Sequence, residues 1–298
     1  MKQKNAFTMI ELVFVIVVMG ILGKFGTEFL AQAYKSFIAV QLNDRFQNQS
    51  ATAIEFIAKR LQYRIKASTI VKDENNASDF KTLEGFQSSG YNVLEWIGYD
   101  GDGFRNGTWS GIFSYEQSNT LLVSPETNTT AMNTMISVLS NGGATIANGA
   151  IYFVGSESNL NSWGWDGVAF SDFNGSMKPI KASSTGTDEF ESNIIGSDFS
   201  SVLPLLENNS YQFAWSAYAI VFDKPSGQLW FYKNYQPWKG EQYTDTISAD
   251  RILIMEEVSD FKKTQVKGVI QIKVCSSNIN LNNLDEGEYL TCKEKTIL

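Results

Sequence analysis

Phe7-Thr8-Met9-Ile10-Glu11-Leu12-Val13-Phe14-Val15-Ile16-Val17-Val18-Met19-Gly20-Ile21-Leu22-Gly23 is the stretch on which the reading of this chain turns. About 17 nearly uninterrupted apolar residues at 1.5 Å each reach roughly 25 Å as a helix, the short end of what a bilayer requires. The six residues before the run, Met1 to Ala6, are short and basic, and Lys2 and Lys4 are expected to stay on the cytoplasmic side. One residue breaks the pattern: a carboxylate at Glu11 costs on the order of 3 kcal/mol inside a membrane. No Lys or Arg lies between Lys4 and Lys24. A partner for Glu11 must therefore come from another chain or from a new amino terminus made by processing.

The helical pattern continues past Gly23. Phe29, Leu30, Ala33, Tyr34, Phe37, Ile38, Gln41 and Leu42 recur at three- and four-residue spacing, followed by Ile54, Ile57, Ala58, Leu61 and Ile65, with no proline between. A helix from about 7 to 66 would be roughly 90 Å long, with residues 7–29 as its membrane half. Asn43 to Ser50 is its weak patch. Gly20, Gly23 and Gly26 each lower helix propensity by about 1 kcal/mol relative to Ala, which favours local melting near them; close packing of a neighbouring helix and simple tolerance are the two readings of their presence.

The run Ala6-Phe7-Thr8-Met9-Ile10-Glu11-Leu12-Val13 resembles the processing signal of type IV prepilins and type II secretion pseudopilins. The resemblance implies that residues 1–6 are a leader, that a prepilin peptidase cuts between Ala6 and Phe7, and that the new amine of Phe7 is methylated. It also implies that Glu11 pairs with that ammonium on a neighbouring subunit and so sets assembly register. Ala6 stands where the family commonly has Gly. The implied partners are the peptidase, other pilin or pseudopilin subunits and an inner-membrane assembly platform, with the head in the periplasm and then on a filament. The competing reading is an ordinary secretory signal peptide cut after Ala31-Gln32-Ala33, which would leave Tyr34 as the first residue of a secreted binding protein.

From residue 67 to 298 the composition turns to Asn, Ser, Gly, Thr and aromatics in short apolar runs, the pattern of a β-rich head. The expected class is therefore α+β: a long amino-terminal helix, half of it transmembrane, packed on a mainly antiparallel sheet, as in pilins. A hairpin is expected where Tyr211 to Val221 alternates, Asp223-Lys224-Pro225-Ser226-Gly227 turns, and Gln228 to Tyr235 returns. Further strands are expected at 150–154, 252–255 and 269–275, with Ile270, Ile272 and Val274 on one face. The segment Ile252 to Phe261 with the strand after it resembles the late sheet of larger minor pilins. A head of this size favours a minor subunit with long loops at 75–91, 124–133 and 156–167.

The chain has no histidine, which removes Ser-His-Asp, Cys-His and His-metal chemistry. Paired carboxylates remain an opening for glycoside cleavage, but an enzyme is not the expected reading, and no cofactor is implied. With 24 Lys and Arg against 32 Asp and Glu, the net charge of −8 offers no field for a phosphate backbone, so direct nucleic-acid binding is not expected. Cys275 and Cys292 can pair outside the cytoplasm, closing a loop worth on the order of 3 kcal/mol; two buried thiols are the alternative.

Two weaker signals complete the list. Asp100, Asp102 and Asn106 in the run Tyr99 to Gly107 place oxygen ligands at alternating spacing, a candidate Ca²⁺ loop without the closing bidentate Glu of an EF-hand; a glycine-rich turn is the plainer reading. Asp285 to Glu288 is a similar acidic loop. Trp109, Trp163 and Trp165 sit in Gly, Asn and Ser-rich segments, where exposed indoles would stack on sugars or on a partner, the alternative function being an adhesive binding module displayed on a filament, and buried ones would fill the core.

Overall fold

A computed structural model describes residues 8–74, 76–86, 90–156, 158–245, 250–277 and 290–298. One helix dominates: α1, Met9–Leu61. At 1.5 Å per residue its 53 residues make a rod of about 80 Å. It runs unbroken through Gly20, Gly23 and Gly26, so the melting that these glycines favour does not occur there. Its buried residues are Phe46, Ser50, Ala53, Ile54, Ile57, Ala58 and Leu61, a stripe at three- and four-residue spacing confined to the last third.

The helix stops at Leu61, five residues before the expected end. Arg64 turns back, donating from one guanidinium nitrogen to the Leu61 carbonyl (2.8 Å) and from another to the Gly268 carbonyl (2.8 Å). A cation seated on carbonyls left open at a helix end favours termination. The next residue joins the sheet, with the Ile65 N–H donating to the Ile97 carbonyl.

Among the described residues the head has fourteen strands and two short α-helices. The first strands are β1 (Ile70–Asp73), β2 (Asn76–Thr82) and β3 (Val93–Gly98), followed by α2 (Gly101–Arg105), β4 (Leu122–Val123) and α3 (Thr129–Leu139). Then come β5 (Ala150–Phe153), β6 (Lys178–Ala182), β7 (Glu189–Ser192), β8 (Tyr211–Ala214), β9 (Ser216–Asp223) and β10 (Gln228–Tyr235). The chain closes with β11 (Asp250–Met255), β12 (Val258–Val266), β13 (Val269–Ser277) and β14 (Leu290–Ile297). They form a six-stranded sheet in the order β11-β10-β9-β3-β1-β2, a five-stranded sheet β4-β7-β6-β5-β8 and a three-stranded sheet β12-β13-β14. All strand pairings within them are antiparallel.

The central strands β1, β3 and β9 of the six-stranded sheet are buried on both faces, and period-two alternation divides their residues between two cores. Leu94, Trp96, Ile220 and Phe222 pack on the α1 side, together with Ile270, Ile272 and Val274 of β13, which do share one face. Val93, Ile97, Ala217, Ala219 and Val221 point the other way, into a core capped by Trp163, Trp165 and Trp238. A third core lies between the five-stranded sheet and α3.

The expected hairpin needs one correction. β9 and β10 pair as expected from Gln228 opposite Asp223 to Tyr235 opposite Ala217. Tyr211 to Ala214 does not continue that strand; it leaves as β8 and pairs with β5 in another sheet. Sequence alternation is unbroken across Trp215, because both sheets demand the same inward pattern, so periodicity alone does not reveal the switch.

Candidate functional site

The outer part of α1 carries the feature that needs explaining. Large apolar side chains from Met9 to Val40 are exposed, including Phe14 (69%), Phe29 (70%) and Leu30 (67%). They lie on every side of the helix. Full burial of one such side chain is worth about 1.5–3 kcal/mol, so the run represents tens of kcal/mol that the head does not satisfy. A helix apolar all round is built for lipid or for other apolar helices. By length and composition α1 can cross a membrane, and none of the apolar window responsible is buried within the chain.

Glu11 sits at the tip of this half. The backbone N–H and the hydroxyl of Thr8 both donate to Glu11 Oε2, at 2.9 and 2.8 Å. This is the reach-back half of a capping box, made by an acid three residues into the helix. The contact supplies donors within the chain but no opposite charge. Ala6 and Phe7, the expected processing residues, lie outside the described residues. Further along, Lys24 and Glu28 form an i,i+4 ion pair at 3.9 Å, so the strictly apolar part ends near Gly23. An added Cβ at Gly20, Gly23 or Gly26 meets nothing within 4 Å, so packing inside this chain does not account for the three glycines.

The patch from Asn43 to Ser50, expected to be weak, is where the helix docks onto the head. Asn43 accepts from the Thr291 hydroxyl (2.9 Å), Arg45 pairs with Glu257 (3.0 Å), Phe46 is fully buried, and the Ser50 and Ser276 hydroxyls are hydrogen-bonded at 2.7 Å. Low helix propensity there is offset by contacts that the sequence does not display. Cys275 and Cys292 face one another across β13 and β14 and form a disulfide beneath this junction.

The remaining sequence candidates fall elsewhere. The run after Tyr99 forms the one-turn helix α2 rather than a β-turn. Asp100 Oδ1 accepts from the Gly103 N–H (3.0 Å), Asp102 pairs with Arg105, and the Asn106 amide donates to the Asp102 carbonyl (2.8 Å). Asp100 is thus engaged as a helix cap and Asp102 in an ion pair, while Asn106 uses its amide nitrogen rather than its oxygen. No grouping of three or more His, Cys, Asp or Glu that could hold a metal ion occurs among the described residues. The acidic loop Asp285 to Glu288 lies outside them. Trp109, Trp163 and Trp165 are each no more than 2% exposed, so the stacking role fails for all three and they serve as core.

Sequence reasoning missed a buried ion pair on the far face of the six-stranded sheet. Lys72 Nζ stands 3.5 Å from Glu95 Oε2 and donates to the Trp165 carbonyl (3.2 Å), while the Tyr235 hydroxyl donates to Glu95 Oε1 (2.9 Å). Burial raises the proton affinity of Glu95 against the pull of Lys72. Burial and the adjacent carboxylate push the Tyr235 phenol well up. The signal was a Lys and a Glu inside otherwise apolar strands, but only cross-strand register places them together.

No family model, no curated protein and no solved structure matches the chain.

Proposed function

We propose that this protein is a pilin-like structural subunit, anchored by the outer half of α1 and assembled with its own kind or with related chains into a filament. One observation carries the reading: a helix half apolar on every side, left uncovered by its own head, with a carboxylate near its tip. Removal of the leader before Phe7 would place a cationic amine within reach of a neighbour's Glu11. The glycines of the outer half, open on this chain, would let neighbouring helices approach closely. The role is structural rather than enzymatic, and the size of the head favours a minor subunit of a pilus, secretion or DNA-uptake filament.

Glu11 admits a test that separates its two possible roles. Glu11→Gln keeps the reach-back cap, since Gln serves at that position, but removes the charge. The expected result is normal membrane insertion with loss of the protein from sheared filaments. Wild-type incorporation of Glu11→Gln would reduce Glu11 to a helix cap. Mass spectrometry of the mature chain is expected to find N-methylated Phe7. An intact leader, or a chain beginning at Tyr34, would overturn the proposal.

A further inference from the structure

Six asparagines of the chain stand in the pattern Asn-x-Ser/Thr: Asn48, Asn76, Asn106, Asn128, Asn174 and Asn208. That tripeptide is the acceptor for transfer of a sugar to an asparagine amide nitrogen in exported proteins. Such matches are common by chance, so the sequence alone does not choose among them. The folded head does choose, because transfer needs the Nδ2 amide and the hydroxyl two residues on to be reachable together.

Four of the six fail on that requirement. Asn106 Nδ2 donates to the Asp102 carbonyl (2.8 Å), Asn174 Nδ2 to Asp172 Oδ2 (2.7 Å) and Asn208 Nδ2 to the Val154 carbonyl (2.8 Å). Thr108 and Ser176, the hydroxyl residues that go with Asn106 and Asn174, are buried as well. Ser50, two residues after Asn48, is fully buried and bonded to Ser276. Asn76 and Ser78 are exposed, but Asn75 beside them lies outside the described residues. Asn128 remains.

Asn128 is exposed, and so are Glu126 and Thr130, two residues to either side of it. It is the N-cap of α3, and the cap uses one end of its amide: Oδ1 accepts from the Ala131 N–H (2.9 Å). Among the described residues no hydrogen bond engages its Nδ2. A sugar on Nδ2 therefore leaves the cap in place, since the substituted amide keeps its carbonyl oxygen as an acceptor. The fold grips this side chain by its oxygen and leaves its nitrogen open. The exposed Glu126 carboxylate adds an anionic handle beside it.

We propose that Asn128 is a glycosylation site of the exported head. The donor is a glycosyl pyrophosphate, and the catalyst is a separate transferase on the outer face of the membrane. The bond formed joins Asn128 Nδ2 to the anomeric carbon of the sugar. The bond broken is the one from that carbon to the pyrophosphate, which leaves with the electron pair, while one amide proton passes to a base of the transferase. Nothing is oxidised or reduced. The proposal rests on export of the head, which belongs to the filament reading, but not on assembly.

Mass spectrometry tests this on the chain purified from the membranes of the cells that naturally make it. Digestion after glutamate places the six asparagines on different peptides. The peptide containing Asn128 is expected to be heavier than its sequence by a whole number of sugar residues. Asn128→Asp keeps the α3 cap, because Asp caps as well as Asn, and should abolish the increase. Thr130→Val removes the hydroxyl and should abolish it too, whereas Thr130→Ser should retain it. The same digest shows whether Cys275 and Cys292 are joined, which reports export. An unmodified Asn128 peptide beside an intact disulfide would overturn the proposal and leave the filament reading standing. Sugar on Asn106, Asn174 or Asn208 but not on Asn128 would overturn it equally.

Discussion

From Met9 to Val40 the long helix turns large apolar side chains outward, whereas from Phe46 to Leu61 the same helix buries a narrow stripe against β11, β13 and β14. Both halves are helical for local reasons, and the difference lies in the pattern of their apolar residues. The inner half alternates at 3.6 residues because one side must meet the head and the other must meet water. The outer half has no such alternation: its apolar residues lie on all sides of the helix. A single element therefore has two apolar surfaces, one covered within the chain and one that the chain leaves uncovered.

The largest expected effect separates the halves outright. Removing residues 1–45 should give a monomeric head that needs no detergent, while the full chain needs detergent or membrane, as read by size-exclusion chromatography with light scattering. A detergent-free monomeric full chain would erase the distinction. Next, Ile57→Ala should cost the head about 2–5 kcal/mol in urea unfolding, the range for large-to-small changes at fully buried sites. Phe14→Ala should change it by less than about 0.5 kcal/mol, because that ring touches nothing in the head. Comparable losses at the two positions would mean that the outer half folds back onto the head.

The smallest effect concerns how dry the head is. Burial pulls the Lys263 ammonium, which donates to the Tyr91 carbonyl, down to about 7, and that of Lys178 down to about 8. In the unfolded chain both return to roughly 10. Between about pH 7 and pH 10 the unfolded state therefore binds more protons, so stability rises with pH across that window. Urea midpoints at pH 7, 8 and 9 should increase, and Lys263→Met should flatten the slope. A flat wild-type profile would place both ammonium groups in contact with water.

Much of this architecture is legible in the chain itself. The apolar run with its single acid, the helix beyond it, the β9–β10 hairpin and the inward face of β13 each follow from spacing over a few neighbouring residues. The strand switch at Trp215 is not legible, because two sheets imposed one alternation. Asp100 read as a candidate ligand from its spacing with Asp102, and the fold turned it into a helix cap. For Trp109, Trp163 and Trp165 the turn residues around them leave surface stacking and core packing both open, and the loops carrying them close over a core.

The sequence by itself determined that the amino-terminal helix exists and that its first half is apolar on all sides, since helix periodicity and hydrophobicity are properties of adjacent residues. Only the tertiary structure decided where that helix enters the head and which lysine meets which glutamate. Those outcomes depend on strand register and on contacts between residues far apart in the chain, and no local pattern encodes them.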